Sequence, residues 1–301
     1  MCDCLVALSS ATDGPTLFAK NSDRPAHEEQ VVHWSPPRID TGPLSTTHVA
    51  IEPQYGPTFG AVLCRPAWCW GAEHGVNTAG VAIGNEAIYT TRDPRGVPPA
   101  LIGMDLVRLG LERAGTAAAA VDVIVALLRR YGQGGSGHDP VAVPAGRPYW
   151  SSFLVADPHR AFVVETSGDE YAVEAVADVR AISNRTTIPG FDERHRHPRQ
   201  PVEQRVDPRW RASNDVLARR PVTVDALATH LRSHDSCGES GWSVCMHVDG
   251  VETTASSMIA ELAPDGGPHR AWMLVGSPCE QRYTAFDLGL SAGGTAERLS
   301  G

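Results

Sequence analysis

A mixed α+β fold is predicted by three features of the 301-residue chain. Apolar β-prone runs dominate its first third, two neighbouring helical stretches occupy the middle, and strand-like runs resume after them. A hydrophobic share of 42% over this length is enough to bury a sizeable core. In order, strands are predicted at Leu5 to Leu8, Thr16 to Lys20, Gln30 to Trp34, His48 to Glu52, Gly60 to Cys64 and Val81 to Tyr89. The Asp13-Gly14 pair between the first two runs reads as a tight hairpin turn, which places cross-strand partners at numbers summing to about 27. In that register Cys4 faces Asp23, and Cys2 lies beside Asp23 to Pro25.

Helices follow at Met104 to Ala114 and Ala117 to Tyr131, where leucine, valine and isoleucine recur at three-to-four spacing among alanines. Strands resume at Ser151 to Ala156, Ala161 to Thr166, Tyr171 to Val176 and Val179 to Ile182; helices are predicted at Pro208 to Ala218 and Thr223 to Ser233, and final strands at Ser256 to Leu262 and Ala271 to Val275. Between them, residues Thr186 to Asp207 are rich in proline, histidine and arginine and read as a long exposed loop. This is the one locally basic region, either simply solvated or a lid that favours acidic substrates. No internal repeat or clean linker divides the chain, so a single domain is expected over 1–290, with 291–301 as a flexible tail.

The balance of 26 basic against 35 acidic residues gives a formal charge of −9, without a run of lysine or arginine. That argues against nucleic acid or anionic membrane as a partner held by bulk charge. The longest apolar stretch, Ala117 to Leu128, contains Asp122 and is shorter than a bilayer span. The opening MCDCLVAL has no basic segment before its apolar run, so a cytoplasmic location is expected. Seven scattered cysteines do not read as a disulfide scaffold. Lys20 is the one lysine, every other basic residue being arginine.

Several short motifs carry little. Gly132, Gly134 and Gly137 satisfy G-x-G-x-x-G but follow a helix instead of opening one, as a dinucleotide site requires. Cys237, Cys245 and His247, and Cys2 with Cys4, lack paired C-x-x-C spacing, so buried inert thiols are expected and no metal is assigned. Asn184-Arg185-Thr186 is a glycosylation triplet without consequence in the cytoplasm. No H-E-x-x-H or G-x-S-x-G string occurs.

Cys2 is the informative residue, because removal of Met1 would give one residue both a thiol and a free α-amine. Their reference pKa values, about 8.5 and about 7.7 to 8.0, lie close enough for the amine to serve as base and the sulfur as nucleophile near neutrality. The predicted hairpin brings Lys20, Asn21, Asp23 and Arg24 to the same end. An ammonium there favours thiolate, and a carboxylate orients the amine.

The opening MCDCLVALSSATDGPTLFAKNSDRP resembles that of the secernins and related bacterial cysteine dipeptidases. Further matches run in order along the chain: RPAWCWGAEHGVN from Arg65, VAIGNEAIYT from Val81, GMDLVRLGLERA from Gly103, YGQGG from Tyr131, ISN from Ile182 and TTASSM from Thr253. The resemblance implies an N-terminal nucleophile (Ntn) hydrolase, a four-layer αββα sandwich with antiparallel sheets, working without a cofactor on a small peptide or other amide and compatible with a homo-oligomer. It implies Cys2 as nucleophile, Asp23 as the group binding the α-amine, Lys20 beside them, and Asn184, with Asn85 less securely aligned, as donors to the oxyanion. Asn21, Arg24, Trp70, Glu86 and His247 are candidates for contact with substrate. Where several relatives carry arginine or histidine before the T-T-A-S string, this chain has Glu252, leaving open which group reads a substrate carboxylate. Acyl transfer through the same thioester, and a non-catalytic secernin-like interaction protein, are the alternatives.

Overall fold

The structure, a computed structural model, describes residues 1–264, 266–288 and 297–299; of 237–239 and 297–299 only the backbone is described. The chain opens with β1 (Cys2–Ala7), a one-turn helix α1 (Ser9–Thr12), β2 (Thr16–Arg24) and β3 (Gln30–Ser35). After a small hairpin of β4 (Leu44–Ser45) and β5 (Ala50–Ile51) come β6 (Ala61–Pro66), β7 (His74–Asn77) and β8 (Ala82–Ile88). Helices α2 (Gly103–Arg113) and α3 (Ala117–Tyr131) are followed by β9 (Trp150–Ala156), β10 (Ala161–Ser167), β11 (Glu170–Val176) and β12 (Val179–Ile182). Four helices then follow: α4 (Phe191–His195), α5 (Val202–Arg205), α6 (Asp207–Leu217) and α7 (Val224–Leu231). The last strands are β13 (His247–Val248), β14 (Glu252–Leu262), β15 (His269–Val275), β16 (Thr284–Leu288) and β17 (Glu297–Leu299).

Two antiparallel sheets face each other. One runs β12-β1-β2-β14-β15-β16-β17, with β13 attached to β14; the other runs β11-β10-β9-β8-β7-β6-β3. Strand β1 shows why its sequence is apolar apart from Asp3: Cys4 and Val6 point into the inter-sheet core with Val62, Leu154 and Met258. Its alternate residues Leu5 and Ala7 pack outward with Leu217, Leu227 and Leu231 of α6 and α7. A strand buried on both faces cannot alternate with polar residues. The other sheet is covered by α2 and α3, whose Leu106, Leu109, Ile124 and Leu127 meet Leu63, Ile83, Phe153 and Val155. The layers are therefore helix, sheet, sheet, helix. No described helix is long and apolar enough to cross a membrane.

Most predicted elements appear within a residue or two of their expected ends, but three readings are corrected. The first hairpin pairs Cys2 with Ser22 and Ala7 with Leu17, so partners sum to 24 and the register moves by three residues. The turn is not a two-residue one: α1 fills it, Asp13 closes that helix in the left-handed region (φ 56°), and the Thr12 hydroxyl accepts from the Gly14 N–H while donating to the Pro15 carbonyl. Cys4 consequently faces Lys20, and Asp23 comes opposite Met1, donating its N–H to the Met1 carbonyl at 2.7 Å.

Segment 186–207 is not an exposed loop. It contains α4 and α5, it buries Ile188, Phe191 and Val202, and the buried Arg185 guanidinium bridges to Asp207 at 2.5 Å. Buried Glu165 accepts hydrogen bonds from the Thr187 N–H and hydroxyl and from the Ile188 N–H, which pins the segment to β10. The predicted strand His48 to Glu52 shrinks to Ala50–Ile51, because Thr46 turns back on the Val49 carbonyl with both N–H and hydroxyl. Strand β7 escaped prediction through Gly75, where a Cβ would lie 2.5 Å from the Val62 carbonyl oxygen. Apart from 297–299, which pair with β16, the expected tail lies outside the described residues.

Candidate active site at the chain's N-terminus

At the open end of β1 and β2 a cavity of about 130 Å3 is lined by Met1, Cys2, Asp23, Asn85, Asn184 and Glu252, with Arg24, Glu73, Tyr89, His138, Arg147 and Gln200 around its wall. Period-two alternation along β1 gives Cys2 the same face as Cys4, toward the opposing sheet, and gives Asp3 the face toward α6. The register of β14 against β2 sets Thr254 opposite Asp23, and a bulge follows between Thr254 and Ser256. This bulge lies beside the cavity, where re-aimed side chains are common.

The N-terminus is held from several sides. The Met1 ammonium donates to Glu252 Oε2 at 2.5 Å and to the Asp23 carbonyl at 3.1 Å. The Cys2 N–H donates to Asn184 Oδ1 at 2.8 Å, and the Cys2 carbonyl accepts from the Ser183 hydroxyl and from Arg209 Nη1. Asp23 accepts from the Thr254 hydroxyl at 2.7 Å, while its other oxygen lies 3.7 Å from Arg209. Burial pushes the Asp23 carboxyl up to about 7, against the pull of the ammonium and Arg209. Burial also raises the Cys2 thiol, opposed by Lys20 and the ammonium, so the resting group is a thiol. Burial lowers the Glu252 carboxyl's readiness to ionise, but the ammonium beside it prevails and holds its pKa below the usual value.

Two solved structures share this fold. No family model matches the chain. The C2A mutant of conjugated bile acid hydrolase from Clostridium perfringens superposes with a TM-score of 0.59 at 11% identity, covering 100% of this chain and 97% of that one. Penicillin V acylase from Agrobacterium tumefaciens gives 0.53 at 12% identity, over 99% and 98% of the two chains. The chain has the Ntn-hydrolase fold.

On this Ntn-hydrolase framework the sequence-predicted residues fall into three groups. Cys2, Asp23, Arg24, Asn85 and Asn184 meet at the cavity. Lys20 and Glu86 stand behind it, fully buried. Burial disfavours the Lys20 ammonium, but Cys2, Cys4, Glu86 and Glu73 around it win, so its pKa is raised and it stays charged. Asn21, Trp70 and His247 are elsewhere. Asn21 fastens β2 to the α7 side by donating to the Leu231 and Val244 carbonyls, both at 2.9 Å. Trp70 lies under the Arg108 guanidinium, 4.3 Å from its ring centre, in the α2 layer. His247 sits with Cys245 and Cys279 on β13 and a neighbouring loop.

Asn184 is engaged through both ends of its amide. Its amide nitrogen donates to the Ala87 carbonyl at 2.9 Å and its oxygen accepts from both Cys2 N–H and Arg209 Nη2. It therefore holds the nitrogen of Cys2 through its oxygen, while its amide nitrogen, with one hydrogen on the Ala87 carbonyl, stands at the cavity lining. The side chain of Asn85 makes no hydrogen bond among the described residues, which leaves its amide free for a ligand.

Arg209 went unseen in the sequence. It is fully buried on α6, ion-paired with Asp3 at 2.5 Å, and bonded to Asn184 Oδ1 at 3.0 Å. Its one signal is position, since Arg209 shares the inward face of α6 with Ser213, Val216 and Leu217. Arg147 is the other omission, an exposed cation at the cavity wall with no ion pair among the described residues.

Glu86 supplies a stability test independent of catalysis. It accepts from the Ser152 hydroxyl at 3.1 Å beside the Cys4 thiol, and burial pushes it up to about 7 against the pull of the Lys20 ammonium. A carboxyl raised in the folded state binds more protons there than when unfolded, so its contribution is complete below about 4.3 and is lost as pH rises through about 7. The stability of the protein relative to Glu86→Gln should fall between pH 5 and pH 8. Parallel denaturant curves at both pH values would refute this.

Proposed function

We propose that loss of Met1 turns the chain into a cysteine amide hydrolase for small substrates bearing a free ammonium next to the scissile carbonyl, as dipeptides do. One observation carries this reading: an amino acid residue, Met1, has its ammonium docked on Glu252 and the Asp23 carbonyl immediately beside Cys2. The same pocket accepts the corresponding part of a substrate once Met1 has left. The neighbours' printed names, a bile acid hydrolase and a penicillin acylase, support amide chemistry on this framework.

In the proposed reaction the freed Cys2 amine, oriented by Asn184 Oδ1, takes the thiol proton. The sulfur attacks the carbonyl, and Asn85 donates to the developing oxyanion. Collapse expels the amine leaving group, which takes the proton, and leaves a thioester. Water then hydrolyses the thioester, releasing the acid and restoring the thiol. Lys20 stabilises the thiolate from behind, and Arg147 is the proposed reader of a substrate carboxylate.

The test is a panel of dipeptides offered with the amine free and acetylated. A hydrogen bond to a charged group contributes about 1.5 to 3 kcal/mol, which corresponds to a preference for the free amine of about 10-fold to 150-fold. Faster cleavage of the acetylated members would refute the ammonium reading, and no cleavage of any member would refute dipeptide hydrolysis. Product analysis with an added amine separates hydrolysis from acyl transfer.

A further inference from the structure

Four side chains from three separate segments converge near the start of β13. His234 precedes a short 3-10 turn (Asp235–Ser240), Cys245 lies just before β13, His247 opens it, and Cys279 comes from the loop after β15. One ligand atom from each lies within 4.8 Å of the others. His247 Nε2 is 3.5 Å from Cys245 Sγ and 3.2 Å from Cys279 Sγ, and the two imidazoles meet edge to face with centroids 5.2 Å apart. Tetrahedral zinc with Zn–S of about 2.3 Å and Zn–N of about 2.0 Å requires sulfur and nitrogen about 3.5 Å apart. The observed separations need only small rotations to satisfy it.

We infer that His234, Cys245, His247 and Cys279 form a structural Cys2His2 site for a zinc ion. Two thiols lose their protons to solvent when the ion binds, so Zn2+ and two thiolates make a neutral centre and two protons are released per ion. Four protein ligands fill the coordination shell, the arrangement of a structural site and not of a catalytic one. Cys245 is buried while Cys279 and His234 are exposed, which gives the ion an entry path. The ion would tie the α7–β13 connection to the loop after β15. Because β13 pairs with β14 at His247 with Thr253 and Val248 with Glu252, the centre would brace the hairpin that carries Glu252.

The experiment uses full-length protein carrying Cys2→Ala, so that Cys2 cannot supply a ligand and the outcome is independent of the proposed catalysis. After chelation under reducing conditions, Co2+ is titrated in. The expected result is saturation at one ion per chain, with sulfur-to-cobalt charge-transfer and tetrahedral d–d bands, and competition by Zn2+. Zinc should also raise the melting temperature of the chelated protein. Cys279→Ser and His234→Ala should each reduce bound zinc, by elemental analysis, at least 10-fold. Weak, non-stoichiometric or octahedral cobalt binding would overturn the proposal. So would a Cys245–Cys279 disulfide, two mass units lighter, that persists in the reductant and excludes the metal.

Discussion

Cys2→Ala is expected to end amide turnover, with a loss of at least about 10^4-fold, while the protein remains folded. Cys2 sits at the end of its strand with 8% of its surface exposed, and replacing its thiol by hydrogen leaves only a small void beside an existing cavity. Cys4→Ala should keep most activity, because Cys4 faces Lys20 and Glu86 deep between the sheets, where burial and the carboxyl beside it raise its thiol well above the usual range. Cys2→Ser should keep a little, since the amine serves a hydroxyl in the same way. Intact mass supplies the companion measurement: the active species should lack Met1. In the full-length chain the nitrogen of Cys2 is a peptide N–H whose hydrogen goes to Asn184, so it has no basic lone pair. Activity from a chain that retains Met1, or undiminished activity in Cys2→Ala, would remove the proposed mechanism.

The layers of this fold were legible where burial imposes a pattern. β1 is apolar at every position but Asp3, which is ion-paired inside with Arg209, because it has a core on each side, and α2 and α3 repeat their leucines and isoleucines at helical spacing because one face meets the sheet. Turn chemistry was less legible. Asp13-Gly14 looks like a two-residue hairpin, but Asp13 serves as the left-handed terminus of α1, and three residues of register depend on that difference. Segment 186–207 misled for another reason. Its arginines and acids read as solvated, whereas Arg185 and Asp207 satisfy each other inside and Phe191 and Val202 anchor the segment to the core. Pairing of charges across space leaves no mark on periodicity. The same holds for the two histidines and two cysteines around His247, whose spacing is irregular because three segments supply them.

Arg209 is the clearest case of such hidden pairing, and its replacement by methionine should cost about 3 to 5 kcal/mol of stability. The guanidinium is the cation that faces both Asp3, at 2.5 Å, and Asp23, at 3.7 Å, in a region closed to solvent. Methionine fills much of the same volume, so the loss reports charge more than packing. The deficit should depend on pH with a definite sign. Arg209 lowers the Asp23 carboxyl, which burial has already pushed up to about 7, so its removal sends that carboxyl higher still. Below about 7 the variant then carries Asp23 uncharged, and less is lost; above it, a buried carboxylate must be kept without its nearby cation. Denaturant midpoints at pH 5.5 and pH 8.5 should therefore show a larger gap from wild type at the alkaline end. A deficit under about 1 kcal/mol, or one equal at both pH values, would mean that Asp3 and Asp23 are compensated by something other than Arg209. The same guanidinium bonds Asn184 Oδ1 and the Cys2 carbonyl, so residual folded Arg209→Met protein should hold its N-terminal nitrogen loosely and turn over slowly. Arg209→Lys restores the charge without the fork that reaches Asp3 and Asn184 together, and should recover stability more fully than rate.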